Sequence, residues 1–243
     1  VAEVAGLEAE AAALRAVENP AGADMAGAAA AAARNRPRRG LKIAPVRRLY
    51  RRIRVENTDS FKEGTMAANS FLKKGDIAPD FSIEDASGAT FSLSAYKDKK
   101  TVALVFLRYA GCPICQLALQ DLKKAYAGFE AKGAVAAVFV QSPRERVAEA
   151  ASEFPFHLIP DPEGEIYGIY GVGSGGLDAL LAPKTIAAGI KATLKGHMQG
   201  KMEGNAWQLP GDFVVGRDGR IILARVGKNM GDNLLPEQIL SYI

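Results

Sequence analysis

Two cysteines set three residues apart, where an apolar run gives way to a helix, constrain this chain more than any other feature. Val102–Tyr109 reads VALVFLRY, an apolar run of strand length, and predicts a central strand covered on both faces. Gly111-Cys112-Pro113-Ile114-Cys115 follows at once. Pro113 suits a first helical turn, where its missing N–H leaves nothing unpaired. Leu117, Leu119, Leu122, Ala125, Tyr126 and Phe129 continue a helical pattern to a stop at Gly133. Cys112 and Cys115 then lie on nearly one face of the first turn, within reach of a disulfide after little backbone movement.

That position has chemical consequences. A thiol reacts as its thiolate, and the unpaired N–H groups and positive dipole end of a helix N-terminus favour the anion. The expected cycle has Cys112 attacking an oxidised substrate and Cys115 resolving the product, leaving a Cys112–Cys115 disulfide. No bound cofactor or metal is needed. Two other readings compete. The thiols could be inert core residues, but their spacing at a helix start argues against that. Zinc would need two further ligands, and His157 and His197 sit in unlike contexts, an apolar strand and a polar loop. Two cysteines are too few for a secreted disulfide framework.

The rest of the pattern is that of an α/β domain. Phe81 and Ile83, then Phe91 and Leu93, alternate around Ser87-Gly88 as a hairpin. Val135–Val140 predicts a second buried strand, with a helix from Pro143 to about Glu153, a short strand at Phe156–Ile159 and a short helix at Ile166–Tyr170. Residues 173–206 read as an insertion: a Gly-rich turn, a helical stretch from Leu177 to about His197, and a polar loop. A hairpin of Phe213–Val215 and Ile221–Val226 and a helix at Pro236–Ile243 close the chain. The sum is a central mixed sheet flanked by helices, with an N-terminal hairpin and a helical insertion before the C-terminal hairpin.

Residues 1–65 differ in kind. The first 34 are about half alanine, and Arg34 to Arg54 is a basic run. The net charge of +4 arises wholly here, because residues 66–243 hold 19 basic and 19 acidic side chains. A neutral globular part argues against nucleic acid as its partner. The basic run could be an arm for an acidic surface or a transit peptide, although five acidic residues among the first 24 fit the latter badly. Lys62-Glu63-Gly64 can be encoded as a ribosome-binding sequence just before Met66, so the expectation is a start at Met66 with 1–65 as a disordered or non-native leader. With no membrane-length apolar stretch and no signal peptide, no membrane partner and a cytoplasmic location are expected.

Several segments taken together resemble the AhpC/TSA redoxin superfamily, in particular peroxiredoxin-like proteins with a CxxC pair. They are Gly75-Asp76-Ile77-Ala78-Pro79-Asp80-Phe81, Arg108-Tyr109-Ala110-Gly111-Cys112-Pro113-Ile114-Cys115, Asp161-Pro162-Glu163-Gly164, and Leu209-Pro210-Gly211-Asp212-Phe213 followed by Arg217-Asp218-Gly219. The resemblance covers about residues 73–243. It implies a thioredoxin-like fold, antioxidant or disulfide-reducing activity, and Cys112 as the reactive thiol. In that fold a cis-proline loop lies beside the CxxC pair and pairs with substrate, so Leu209–Pro210 is expected to be cis and, with Tyr109, to border the substrate. One departure stands out. The family usually has Thr or Ser three residues before its reactive Cys, and here that position is Tyr109. Arg108 and Arg225 are the candidates for the family's positive charge.

The expected substrate is a hydroperoxide or a disulfide, and the expected reductant is thioredoxin or glutathione. The alternatives are a disulfide reductase without peroxidase activity and a redox-inactive module that uses residues 173–206 as a partner surface. A homodimer is left open.

Overall fold

The structure is a computed structural model and describes residues 72–243. The expectations for residues 1–65 and for a start at Met66 lie outside the described residues.

The apolar runs form the middle of a five-stranded sheet. β3 (Thr101–Phe106) and β4 (Ala134–Val140) pair in parallel, and every residue of both is buried. β5 (His157–Pro160) extends the sheet parallel to β4. On the other side β6 (Gly211–Val215) runs antiparallel to β3, and β7 (Ile221–Val226) antiparallel to β6. The order is β5-β4-β3-β6-β7. β1 (Ser82–Glu84) and β2 (Thr90–Ser92) form a separate hairpin, with Ile83 opposite Phe91.

Strand alternation divides the core into two layers. Ala103, Val105 and Leu107, with Ala136 and Val138, face α1 (Pro113–Ala131), α2 (Arg144–Ala151) and α6 (Pro236–Leu240). Leu104, Phe106, Ala137 and Phe139 face the hairpin and α3 (Glu165–Ile169), where Phe81, Phe91, Tyr167 and Tyr170 complete an aromatic layer. This is the thioredoxin-like architecture expected from the sequence, with helices on both faces of a mixed sheet.

The insertion leaves and rejoins the framework through a narrow neck. Ser174 bridges Gln208, and the Gly175 N–H donates to Trp207 O at 2.8 Å. Its helical stretch is two helices rather than one: α4 (Leu177–Leu181) and α5 (Pro183–Leu194). Pro183 has no N–H to continue α4 and holds Ala182 in extended backbone (ψ 136°), so the chain breaks there and restarts with proline at a helix start. α5 packs on α1, with Ala188 against the core and Ala192 fully buried, while the Thr185 hydroxyl donates to Ala179 O of α4.

Candidate active site

The junction of β3 and α1 carries the cysteines. Cys112 is the N-cap of α1, in extended backbone (φ −81°, ψ 123°), and its Sγ accepts the Cys115 N–H at 3.4 Å. Sulfur thus takes the place that a Ser or Asp oxygen fills at an ordinary N-cap. The Cys115 Sγ in turn lies 3.4 Å from the Arg108 N–H. Both thiols are free and buried.

Arg108 completes the arrangement. Its Nη2 lies 3.0 Å from Cys112 Sγ, while Nη1 donates to Ala206 O and contacts Met230 Sδ, each at 3.1 Å. The Cys112 thiol is lowered from 9.0 to about 6. A hydrogen bond from the Cys115 thiol is the largest cause, and the Arg108 charge and the Cys115 N–H add to it against the cost of burial. Cys115 moves the opposite way, pushed well up by burial and by the neighbouring Cys112 anion. Of the two candidate arginines, Arg108 therefore serves Cys112. Arg225 is engaged elsewhere, on Asp212 and Asp232 at 3.3 and 2.7 Å.

A cover closes over this pair. Gly200 donates to Gly111 O at 2.8 Å, and a Cβ on Gly111 would come within 2.4 Å of Lys201 O. Gln199 Nε2 reaches Tyr109 Oη and Gly111 O, both at 3.3 Å. Further along, the Asn205 N–H donates to Gln141 Oε1 at 2.9 Å. Gln141 and Gln208 are themselves buried and bonded side chain to side chain. Residues 199–206 of the insertion thereby lie across the cysteine loop, and Cys112 is 0% exposed.

The sequence-derived site is met in part. Cys112, Cys115 and Tyr109 come together, with Tyr109 beneath the cover and the Arg108 guanidinium 5.6 Å from its ring centre. Leu209–Pro210 requires a correction: among the described residues no peptide bond is cis. The loop closes in trans. Leu209 N donates to Gly173 O, Gly227 N donates to Pro210 O at 2.8 Å, and the Pro210 ring rests on Gly227. The ordinary trans preference of X–Pro bonds, about 0.5–1 kcal/mol, is therefore unopposed here. No hydrogen bond joins Leu209 or Pro210 to either cysteine. His157 bonds Asp85 and Tyr96, each at 2.8 Å, and so is tied to the hairpin side of the fold. Gln199, Ala206 and Met230 were not foreseen. Their contacts with Tyr109 and Arg108 span about 90 to 122 positions, and no local pattern marks them.

Residues 74–224 match the AhpC/TSA family, well over half of the chain. The chain belongs to that family. Alkyl hydroperoxide reductase E of Mycobacterium tuberculosis is 33% identical over 105 residues, covering 42% of this chain and 69% of that protein. Thiol-disulfide oxidoreductase ResA of Geobacillus thermodenitrificans is 30% identical over 119 residues, covering 45% of this chain and 66% of that protein. The crystal structure of peroxidoxin BcpB from Mycobacterium tuberculosis matches with a TM-score of 0.52 at 20% identity, over 70% of this chain and 96% of that one, a likeness of fold. As an AhpC/TSA protein the chain is a thiol-dependent oxidoreductase. Its two named relatives divide on substrate, one named for hydroperoxides and the other for disulfides.

Proposed function

We propose that this AhpC/TSA protein is a peroxiredoxin-like peroxidase that reduces small hydroperoxides through a Cys112–Cys115 cycle. The Arg108 Nη2 to Cys112 Sγ contact of 3.0 Å carries the reading. It sets a permanent positive charge against a thiol lowered to about 6, so Cys112 is mostly thiolate at neutral pH.

The two cysteines and Arg108 carry the oxidising half of the cycle, with solvent supplying the proton and an external thiol closing it. The Cys112 thiolate attacks the distal oxygen of ROOH; the S–O bond forms as the O–O bond breaks. Sulfur is oxidised to the sulfenic acid, and the departing RO⁻ takes a proton to give the alcohol. Arg108 faces the anion at the start and negative charge on the oxygens as it develops. Cys115 then attacks the sulfenic sulfur, and water leaves as the disulfide forms. An external dithiol such as thioredoxin, or glutathione, returns the two electrons. Cys115, held as a neutral thiol until then, does not compete as nucleophile.

The second reading is a protein disulfide reductase, which would draw on the same CxxC pair and on the ResA likeness. The covered site favours the smaller substrate. A protein disulfide would have to displace residues 199–206 before reaching Cys112.

The test is peroxide consumption by the full chain, with thioredoxin and its reductase as donor and Cys112→Ser as control. Rapid Cys112-dependent turnover supports the peroxidase. No turnover, with a reversible Cys112–Cys115 disulfide still forming, moves the assignment to the reductase.

A further inference from the structure

The surface of the insertion is built the wrong way round for an ordinary helix pair. Of the twelve large apolar side chains exposed among the described residues, nine fall between Leu177 and Trp207. On α5 the small residues Thr185, Ala188 and Ala192 are turned inward, and the large ones point out. Ile186, Ile190 and Leu194 are 51, 57 and 83% exposed. Leu177, Leu181, Met198 and Met202 continue the apolar surface on either side, each more than 60% exposed. Core packing explains the inward stripe and leaves the outward one without a partner among the described residues.

Charge identifies the partner. Lys184, Lys191 and Lys195 follow one another at i, i+7 and i+11 and so form a row along one flank of the apolar face. Lys201 lies beyond, and Asp178 and Glu203 are the only acidic residues from 177 to 203. The excess is local, because the span 66–243 as a whole is balanced. Lys184 pairs with Asp232, and Lys195 reaches Asp121 at 3.8 Å, whereas Lys191 and Lys201 form no ion pair among the described residues. A long-chain aliphatic face flanked by lysines, with a half-exposed tryptophan at its end, has the composition of a helix that lies in a membrane interface. We propose that the outer face of residues 177–202 seats the protein on an anionic lipid surface. The sequence expectation of no membrane partner rested on the lack of a spanning segment, and a helix lying flat needs none.

The test is cosedimentation of the full chain with phosphatidylcholine vesicles, with and without phosphatidylglycerol. Trp207, the sole tryptophan, reports contact by its emission. The expected result is binding to the anionic vesicles with a blue shift, weakened by salt. Ile190→Gln with Leu194→Gln should lower affinity by about tenfold or more, and Lys191→Glu with Lys195→Glu should lower it on anionic vesicles. Circular dichroism checks that these exposed substitutions leave the fold intact. Absence of binding overturns the proposal, and so does binding that the Ile190/Leu194 variant leaves unchanged, which would assign it to the basic residues 34–54. Conversion of a dimer to a monomer by that variant, with no vesicle binding, would assign the face to a second copy instead. The readout is binding, so its failure leaves the thiol chemistry untouched.

Discussion

The Arg108 guanidinium lies 3.0 Å from Cys112 Sγ, the two residues standing at either end of the turn that leads from β3 into α1. The turn between them brings them together: Cys112 N bonds Tyr109 O at 3.1 Å, and Ala110 N bonds Ser142 Oγ at 2.9 Å. Charge and cap then act on one sulfur from two sides.

Arg108→Met should therefore raise the Cys112 thiol from about 6 towards its ordinary 9.0. A rise of two units would lower the thiolate fraction at pH 7 about tenfold. Alkylation by iodoacetamide, followed against pH, reads both midpoint and rate. An unchanged midpoint would mean that Cys115 and the helix start suffice without the arginine.

The same shift makes stability depend on pH. The folded Cys112 loses its proton near 6 and the unfolded one near 9.0, so between those values the unfolded chain binds more protons. Stability of the reduced protein should rise with pH across that window, by at most about 1.4 kcal/mol per unit from this group, and the contribution is lost as pH falls through 6. Cys115, shifted upward, acts with the opposite sign only above 9.0. Urea melts of reduced wild type and Cys112→Ser from pH 5 to 9 should diverge upward. Parallel curves would refute the thiolate.

The cover rests on glycine at Gly111, where any Cβ would collide with Lys201 O. Gly111→Ala should displace residues 199–206, speed alkylation of Cys112 and cost about 1–3 kcal/mol. Gly189→Ala is the control. It lies within α5 with nothing within 4 Å of its Cβ position, and should stabilise by about 0.5–1 kcal/mol without changing Cys112. Slower alkylation in Gly111→Ala would show that the cover does not limit access.

The sequence made the scaffold legible because local chemistry decides it. Two continuous apolar runs of strand length suit central strands, and proline after Cys112 suits a helix start, and the structure has both. Arg108 was visible as a charge beside the motif, but only the turn through Tyr109 and Ala110 decided between it and Arg225. The cover was hidden, because Gly200 and Gly111 meet through backbone across 89 positions and leave no side-chain pattern. Leu209–Pro210 misled for a related reason. The fold resemblance implied a cis bond, whereas the bond keeps the ordinary trans state of X–Pro, with the loop bonded to Gly173 and Gly227 from two distant segments.

Tyr167 offers a way to separate support of the site from support of the fold. Its buried hydroxyl reaches Leu107 O at 2.5 Å and Phe139 O at 2.9 Å, at the ends of β3 and β4 where the chain leaves for Arg108. Phe139 O keeps the Leu107 N–H as a partner, so Tyr167→Phe takes a hydroxyl partner chiefly from Leu107 O, at about 1–3 kcal/mol. Tyr170→Phe loses a comparable bond to Pro79 O, away from the cysteines. Both variants should melt earlier in urea. Only Tyr167→Phe should also slow alkylation of Cys112, because Leu107 precedes the arginine that holds the thiolate. Equal reactivity in the two would show that the end of β3 is fixed well enough without the Tyr167 hydroxyl.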